Sequence, residues 1–435
     1  MSSSPGPTFR EKLSIQLEPW HRSLQFWVRV ADVYAGYKVC QFRAGLTKDA
    51  GERETMWERQ HELAADKLYT MCYEMGAAQL VGKPDLAPAA WVRRLVTLCD
   101  RAPATPFEVV QKILEEDLGQ SFSMMFEKFD EVHRARVRGA KSDVAVKVQH
   151  PGVHRLMMTD IHNLQAFALF LQKTEIKFDL FSATKEVEKQ VEFEFDFMRE
   201  ADSMEKIHHF LHYKNKKSPV LVPRVFRGLV TRRVLVMDFF DGIPIMNLGA
   251  EMARRGINPS GKIAVAAKQS ILKSLTQAYG QMILGSGFFH ADPHPGNILI
   301  CKGSEIALLD YGQVKDLPEN LRLGYANLVL AMADTDPARI SERNVRHQAS
   351  PGVQVMSPFE DDSSLKTVGV ESFPEELFFV LRAIQLLRGL SSGLGINYSC
   401  AEQWRPIAEE ALRRSGRLKA LERRRGFWRR MLRRG

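Results

Sequence analysis

Apolar residues recur at three- and four-residue intervals through the first hundred positions, and Trp20, Leu24, Trp27, Val28 and Ala31 trace an amphipathic helical stripe. Pro84, Pro88, Pro103 and Pro106 interrupt this region, and Ala102–Pro106 reads as a linker. A helix is predicted from Phe107 to Asp117. The period then shortens: Val144-Ala-Val-Lys-Val148 is a β-branched strand, and Val234-Leu-Val-Met237 is a second one that ends at Asp241-Gly242. Between them, residues 183–212 read as one long helical stretch. Lys262–Leu284 carries Ile263, Ala267, Ile271, Leu275 and Met282 at helical spacing and stops at Gly285 and Gly287. Ile298–Cys301 and Ile306–Leu309 flank Lys302-Gly303-Ser304, a hairpin signal. Beyond residue 318 the pattern is helical again, apart from a polar stretch near residues 350–364. Strands first and helices afterwards predict an α+β, bilobal protein rather than a doubly wound sheet.

Composition changes this picture little. The chain has 435 residues, 45% hydrophobic and 26% charged, which is ordinary for a folded chain of two or three domains. No apolar run approaches the ~20 residues that span a bilayer; the best is Phe167–Leu171. The five Cys include no CxxC pair, which points to reduced thiols and away from a zinc site. Charge is more informative once located. The net charge is +9, but residues 413–435 hold eleven Lys or Arg against Glu422, so the tail carries +10 and the rest −1. The tail is either a solvated, frayed terminus or a basic amphipathic helix suited to an anionic membrane surface, with Phe427, Trp428, Met431 and Leu432 on its apolar side. No recognition motif accompanies the charge, so no nucleic-acid partner is expected. Residues 1–18 are expected to be disordered or a targeting segment.

Three short segments carry chemistry. Lys147 sits inside an apolar strand, where it is either a solvent-facing edge residue or a charge that needs an anionic partner. His290-Ala-Asp-Pro-His-Pro-Gly-Asn297 lies between a helix stop and a hairpin, in a loop stiffened by Pro. Asp310 leaves an apolar strand directly before Tyr311-Gly312. Each Asp or Asn alone would pass as a turn residue. Together Asp292, Asn297 and Asp310 can converge at the mouth of the hairpin, and two carboxylates plus an amide oxygen suit Mg²⁺. The order of a strand Lys, then HxDxxxxN, then Asp-aromatic-Gly is the signature set of protein kinases.

The versions of these motifs at 144–153 and 290–297 closely resemble the atypical kinase-like family called ABC1, UbiB or ADCK, and Gly82–Trp91 is most similar to its plant branch. The resemblance runs from about residue 40 to residue 400. It implies a protein-kinase-like fold with an N-terminal helical extension, ATP and Mg²⁺ as cofactors, ATPase or unusual phosphotransfer activity, and a role in quinone or prenyl-lipid metabolism beside the enzymes of that metabolism. It implies catalytic roles for Asp292, Lys147 and Glu200, with Lys147 on the phosphates and Glu200 pairing with it. Glu194 and Asp196 match the family's ExD motif, Met237, Asp238 and Phe239 match the adenine-holding hinge, and Asn297 and Asp310 match the metal ligands. The expected domains are the extension at 19–106, lobes at 107–242 and 243–412, and the basic tail at 413–435. An organelle is the expected location, a mitochondrion before a plastid. Two departures set the alternative. The family's KxGQ motif appears as Glu74-Met-Gly-Ala-Ala-Gln79 without its Lys, and the alanine-rich nucleotide loop is missing at Phe129-Asp-Glu-Val-His133. A non-catalytic kinase-fold module that binds a membrane or a lipid-enzyme complex is therefore the second reading.

Overall fold

The computed structural model describes residues 9–75, 94, 106–130, 134–175, 179–213, 220–333, 375–396 and 398–417. The chain divides into two compact units, one formed by residues 1–106, 149–192 and 349–371 and the other by 107–148, 193–348 and 372–435. The KxGQ-like segment from residue 76 onward, the polar stretch at 350–364 and the tail from residue 418 lie outside the described residues.

In the first unit, α1 (Phe9–Leu46) packs against α2 (Ala50–Met75). Its buried face is Phe26, Val30, Val33, Tyr37, Cys40 and Ala44. The stripe that the sequence singles out, Trp20, Leu24, Trp27 and Val28, is on the other side and is exposed, Trp20 at 77%. Periodicity locates a face but not its environment: this helix has two apolar faces, and only one of them meets α2. The same helix is tied to residues 149–192 by an ion pair between Arg22 and the buried Asp160, whose carboxyl is held above its usual range by desolvation despite the Arg22 hydrogen bonds.

The second unit opens with α3 (Phe107–Leu118) and a single helical turn, α4 (Phe122–Met125). Strands β1 (Phe126–Phe129), β2 (Arg134–Val137) and β3 (Val144–Val148) follow. Between them and the next strand run α5 (Val153–Thr174), α6 (Leu180–Glu194) and α7 (Phe197–Tyr213). Of these, α5 and all but the last two residues of α6 belong to the first unit. After β4 (Val220–Leu221), β5 (Val234–Asp238) completes an antiparallel sheet in the order β1-β2-β3-β5. Val144 and Val146 of β3 point into an apolar cluster with Val110, Ile113, Leu114, Phe126 and Val236. Strand alternation then turns Lys147 to the opposite face, away from that cluster.

The remainder of this unit is β6 (Gly242–Pro244), α8 (Leu248–Arg254), α9 (Lys262–Gly280), β7 (Phe288–His290), β8 (Ile298–Cys301), β9 (Ile306–Leu308), β10 (Val314–Asp316), α10 (Glu319–Ala333), α11 (Glu375–Gly393) and α12 (Cys400–Arg414). The second sheet runs β4-β9-β8-β6, and β7 pairs with β10. The large core joins α7, α9, α10 and α12 to this sheet, with Trp404, Tyr279, Tyr311 and Phe289 fully buried. The architecture is α+β and kinase-like, with helices at its N-terminal end. Two boundaries differ from the sequence reading. The stretch at 183–212 is two helices that break at Phe195-Asp196. The helix expected to reach Leu284 changes to π-helical turns at 281–286 before Gly287, whose φ of +85° suits glycine.

Candidate functional site

Lys147 Nζ lies 3.0 Å from both carboxylate oxygens of Glu200 and 3.3 Å from Asp310 Oδ1. The three residues come from β3, the first turn of α7 and the segment after β9, all within the second unit. Glu200 is 1% exposed and also accepts the Tyr311 N–H at 3.1 Å. Burial pushes its carboxyl above the usual range, with Lys147 pulling the other way. Desolvation alone would lower the Lys147 ammonium, but the charges of Asp310 and Glu200 raise it above its ordinary value. Asp310 shows the converse balance: desolvation opposes ionisation, while Lys147 and the Gly312 N–H bring the carboxyl below its usual range. The expectation that Lys147 needs an anionic partner is met by two.

The break at Phe195-Asp196 sets the acidic residues apart. Asp196 precedes α7 and accepts the Arg199 N–H through Oδ1 at 3.1 Å, an N-cap. It therefore caps α7 from outside the helix and forms no like-charged i, i+4 pair with Glu200 within one helix. Glu194, at the end of α6, accepts from Gln313 Nε2 at 2.6 Å, and desolvation with the charges of Asp310 and Asp292 holds its carboxyl above the usual range.

The loop motif is fixed by its histidine. His290 is fully buried; its Nε2–H donates to the carbonyls of Asp310 at 2.8 Å and Leu309 at 3.1 Å, so Nδ1 accepts from the Tyr279 hydroxyl at 2.9 Å. These bonds hold Asp310 at φ +60°, a left-handed conformation that costs a non-glycine residue of order 1 kcal/mol. Gly312 fits beneath: a Cβ there would stand 3.3 Å from Asp310 Oδ1 and 3.6 Å from Glu194 Cγ. The Leu309 N–H donates to the Asn297 carbonyl at 2.8 Å, which brings Asn297 beside Asp310 as the hairpin geometry predicts. Asn297 Nδ2 reaches the Asp292 carbonyl at 3.5 Å, so the amide oxygen is the atom that could face a cation. An amide oxygen beside a carboxylate suits a hard divalent cation. Among the described residues, no group of three or more His, Cys, Asp or Glu forms a metal site by itself.

Met237 and Asp238 end β5, and Phe239 follows it. Met237 pairs with Ala145 across the sheet, two residues from Lys147. The N–H of Asp238 donates to Arg224 O at 3.0 Å and that of Phe239 to Asp143 O at 3.3 Å, while the Asp238 carboxylate holds Arg224 at 2.9 Å. Those two backbone donors are thus engaged within the protein. The β1–β2 hairpin closes tightly, Asp130 N–H on Arg134 O at 2.7 Å, with residues 131–133 outside the described residues.

Two residues at the site escaped the sequence reading. Arg382 of α11 pairs with Asp292 at 2.9 Å, and Gln313 joins Arg382 to Glu194. Gln313 follows the Asp-Tyr-Gly motif directly, a cue that was present; Arg382 lies 72 positions beyond Asp310 on a helix with no motif. Among the described residues, no helix is long and apolar enough to cross a membrane.

An ABC1 atypical kinase-like domain profile matches residues 97–344. AarF domain-containing protein kinase 1 of Xenopus laevis is 29% identical over 399 residues, covering 80% of this chain and 74% of the frog protein. AarF domain-containing kinase 1 of Drosophila melanogaster is 31% identical over 71% of this chain and 60% of the fly protein. Protein ACTIVITY OF BC1 COMPLEX KINASE 8, chloroplastic, of Arabidopsis thaliana is 28% identical over 80% of this chain and 46% of its own length. The chain thus spans less than two thirds of the fly and plant proteins.

Proposed function

The chain belongs to the ABC1 atypical kinase-like family, and from that premise we propose that it binds ATP with Mg²⁺ and transfers or hydrolyses the terminal phosphoryl group, in an organelle and in the service of quinone or other prenyl-lipid metabolism. The observation that carries this reading is the Lys147 ammonium held 3.0 Å from a buried Glu200 and 3.3 Å from Asp310. A buried carboxylate that fixes a lysine between strand and loop orients a cation toward anionic phosphates. In this reading Lys147 holds phosphates, Glu200 orients Lys147, and Asp292 positions or deprotonates the attacking hydroxyl or water. Asn297 and Asp310 hold Mg²⁺, which neutralises phosphate charge when bound. Glu194 and Asp196 shape the cleft behind Asp310, and Met237, Asp238 and Phe239 border the adenine. The lobes are proposed at 107–242 and 243–412, after an extension at 19–106. The basic residues at 413–435 are proposed to meet an anionic membrane surface. The mitochondrial preference has no support from the relatives; the plant protein above carries a chloroplast designation in its name.

The test is thermal stabilisation by ATP with and without Mg²⁺. Asp310→Asn is expected to abolish the Mg²⁺-dependent part, because an amide does not replace a carboxylate's charge. Equal shifts in both proteins refute the site.

The tight closure of the hairpin at Asp130 and Arg134 favours a second reading. The sequence there lacks the family's alanine-rich loop, whose backbone donors would cover phosphates, as in a non-catalytic module that binds a membrane or a lipid-enzyme complex. No ATP binding with or without Mg²⁺, in a folded protein, would favour it.

A further inference from the structure

Among the described residues, Glu194, Glu200, Asp292 and Asp310 cluster at the site with Lys147 and Arg382. Lys147 serves Glu200 and Asp310. Arg382 serves Asp292, its Nη2 2.9 Å from Oδ1, while its Nη1 donates to Gln313 Oε1 at 3.3 Å. Gln313 passes the connection to Glu194 at 2.6 Å. The Arg382 and Asp292 side chains are each only 20% exposed, so their attraction is weakly screened. The acids sense one another: the charges of both Asp310 and Asp292 oppose ionisation of Glu194. Asp292 is also linked to a residue proposed here as a metal ligand, since Asn297 Nδ2 reaches its carbonyl oxygen.

A carboxylate placed there without a counter-ion would be drawn to any cation beside Asp310. A carboxylate bound to a metal is a poor acceptor for a proton and a poor guide for an attacking hydroxyl. The guanidinium occupies one oxygen of Asp292 and leaves Oδ2 for an attacking group. It also offsets the repulsion between Asp292 and an incoming phosphoryl group.

We propose that Arg382 is a positioning residue that holds Asp292 on the acceptor side of the site and keeps it out of the coordination of the divalent cation. This rests on the reading of Asn297 and Asp310 as metal ligands. Protein kinases are expected to place their metal ligands and catalytic Asp within the two motifs alone; here a distant helix, α11, supplies the group that separates their roles.

The experiment is Mn²⁺ binding to the full chain, followed by the electron paramagnetic resonance signal of free Mn²⁺. Arg382→Gln is expected to tighten Mn²⁺ binding about tenfold, because Asp292 is released to the cation. Arg382→Lys keeps the charge and is expected to bind as the wild type does. The double variant Arg382→Gln with Asp292→Asn is expected to return to the wild-type affinity, which a merely structural role for Arg382 would not produce. Asp292→Asn alone is expected to leave Mn²⁺ affinity unchanged, a test that does not depend on how the Arg382 variants fold. If Arg382→Gln binds as the wild type does, or Asp292→Asn alone weakens binding tenfold, while Asp310→Asn still weakens it, the role of Arg382 is overturned and the metal site stands. If Asp310→Asn has no effect on Mn²⁺ binding, the metal-site reading falls and the inference falls with it.

Discussion

Replacing Lys147 by Met tests the central ion pair without any ligand. The substitution keeps the length of the side chain and removes its charge. Glu200, 1% exposed, then retains the Tyr311 N–H as its remaining partner among the bonds described above. Removing one partner of a buried pair costs about 3–5 kcal/mol. Lys147 is itself 34% exposed, so solvent screening brings the expected cost down to about 2–3 kcal/mol. That cost should depend on pH. Unpaired and buried, Glu200 has a folded-state carboxyl raised above the unfolded value near 4.3. Protonation therefore favours the folded variant, and this relief is lost as pH rises through the raised value. The deficit of the variant is expected to be smaller at pH 5.5 than at pH 8, where the full cost of about 2–3 kcal/mol applies. Hydrogen exchange of amides in β3 and α7, corrected for intrinsic rates, reads the difference locally and avoids treating a two-unit chain as one transition. A deficit that is the same at both pH values, or below ~0.5 kcal/mol at pH 8, would refute the claim that Glu200 depends on Lys147.

Three other outcomes follow from the same geometry. Tyr311→Phe is expected to stabilise the protein by about 1 kcal/mol in thermal denaturation, because the fully buried Tyr311 hydroxyl finds no hydrogen-bond partner among the described residues; a loss of stability would show that the hydroxyl is satisfied. Gly280→Ala places a Cβ 2.5 Å from Trp404 Cδ1, in a core where Trp404 Nε1 is anchored on Thr276 O at 2.6 Å; a cost of about 3 kcal/mol or more is expected, and an unchanged melting temperature would contradict this packing. ATP binding, by calorimetry, is expected at tens of micromolar or weaker, and an alanine-rich insertion between Asp130 and Val132 should tighten it about tenfold, or 1.4 kcal/mol; submicromolar binding by the unaltered chain would show the missing donors to be dispensable.

Residue order alone picked out segments that the structure brings close together. Val144-Ala-Val-Lys-Val148, His290–Asn297 and Asp310-Tyr-Gly312 are local motifs, and a short strand, a proline-stiffened loop and a hairpin are set by interactions within a few residues. The α+β class follows from the same local periods. The tertiary structure decided what each part touches. Which of the two apolar faces of α1 is buried depends on where α2 lies, and no period in α1 contains that. The break that makes Asp196 a cap and lets Glu200 reach Lys147 arises between two helices whose charges look continuous in sequence. Arg382 comes to Asp292 from 90 residues away, and its role depends on charge balance in a partly buried space. Electrostatic partnership is a property of distance and desolvation, and both are set only when the chain has closed on itself.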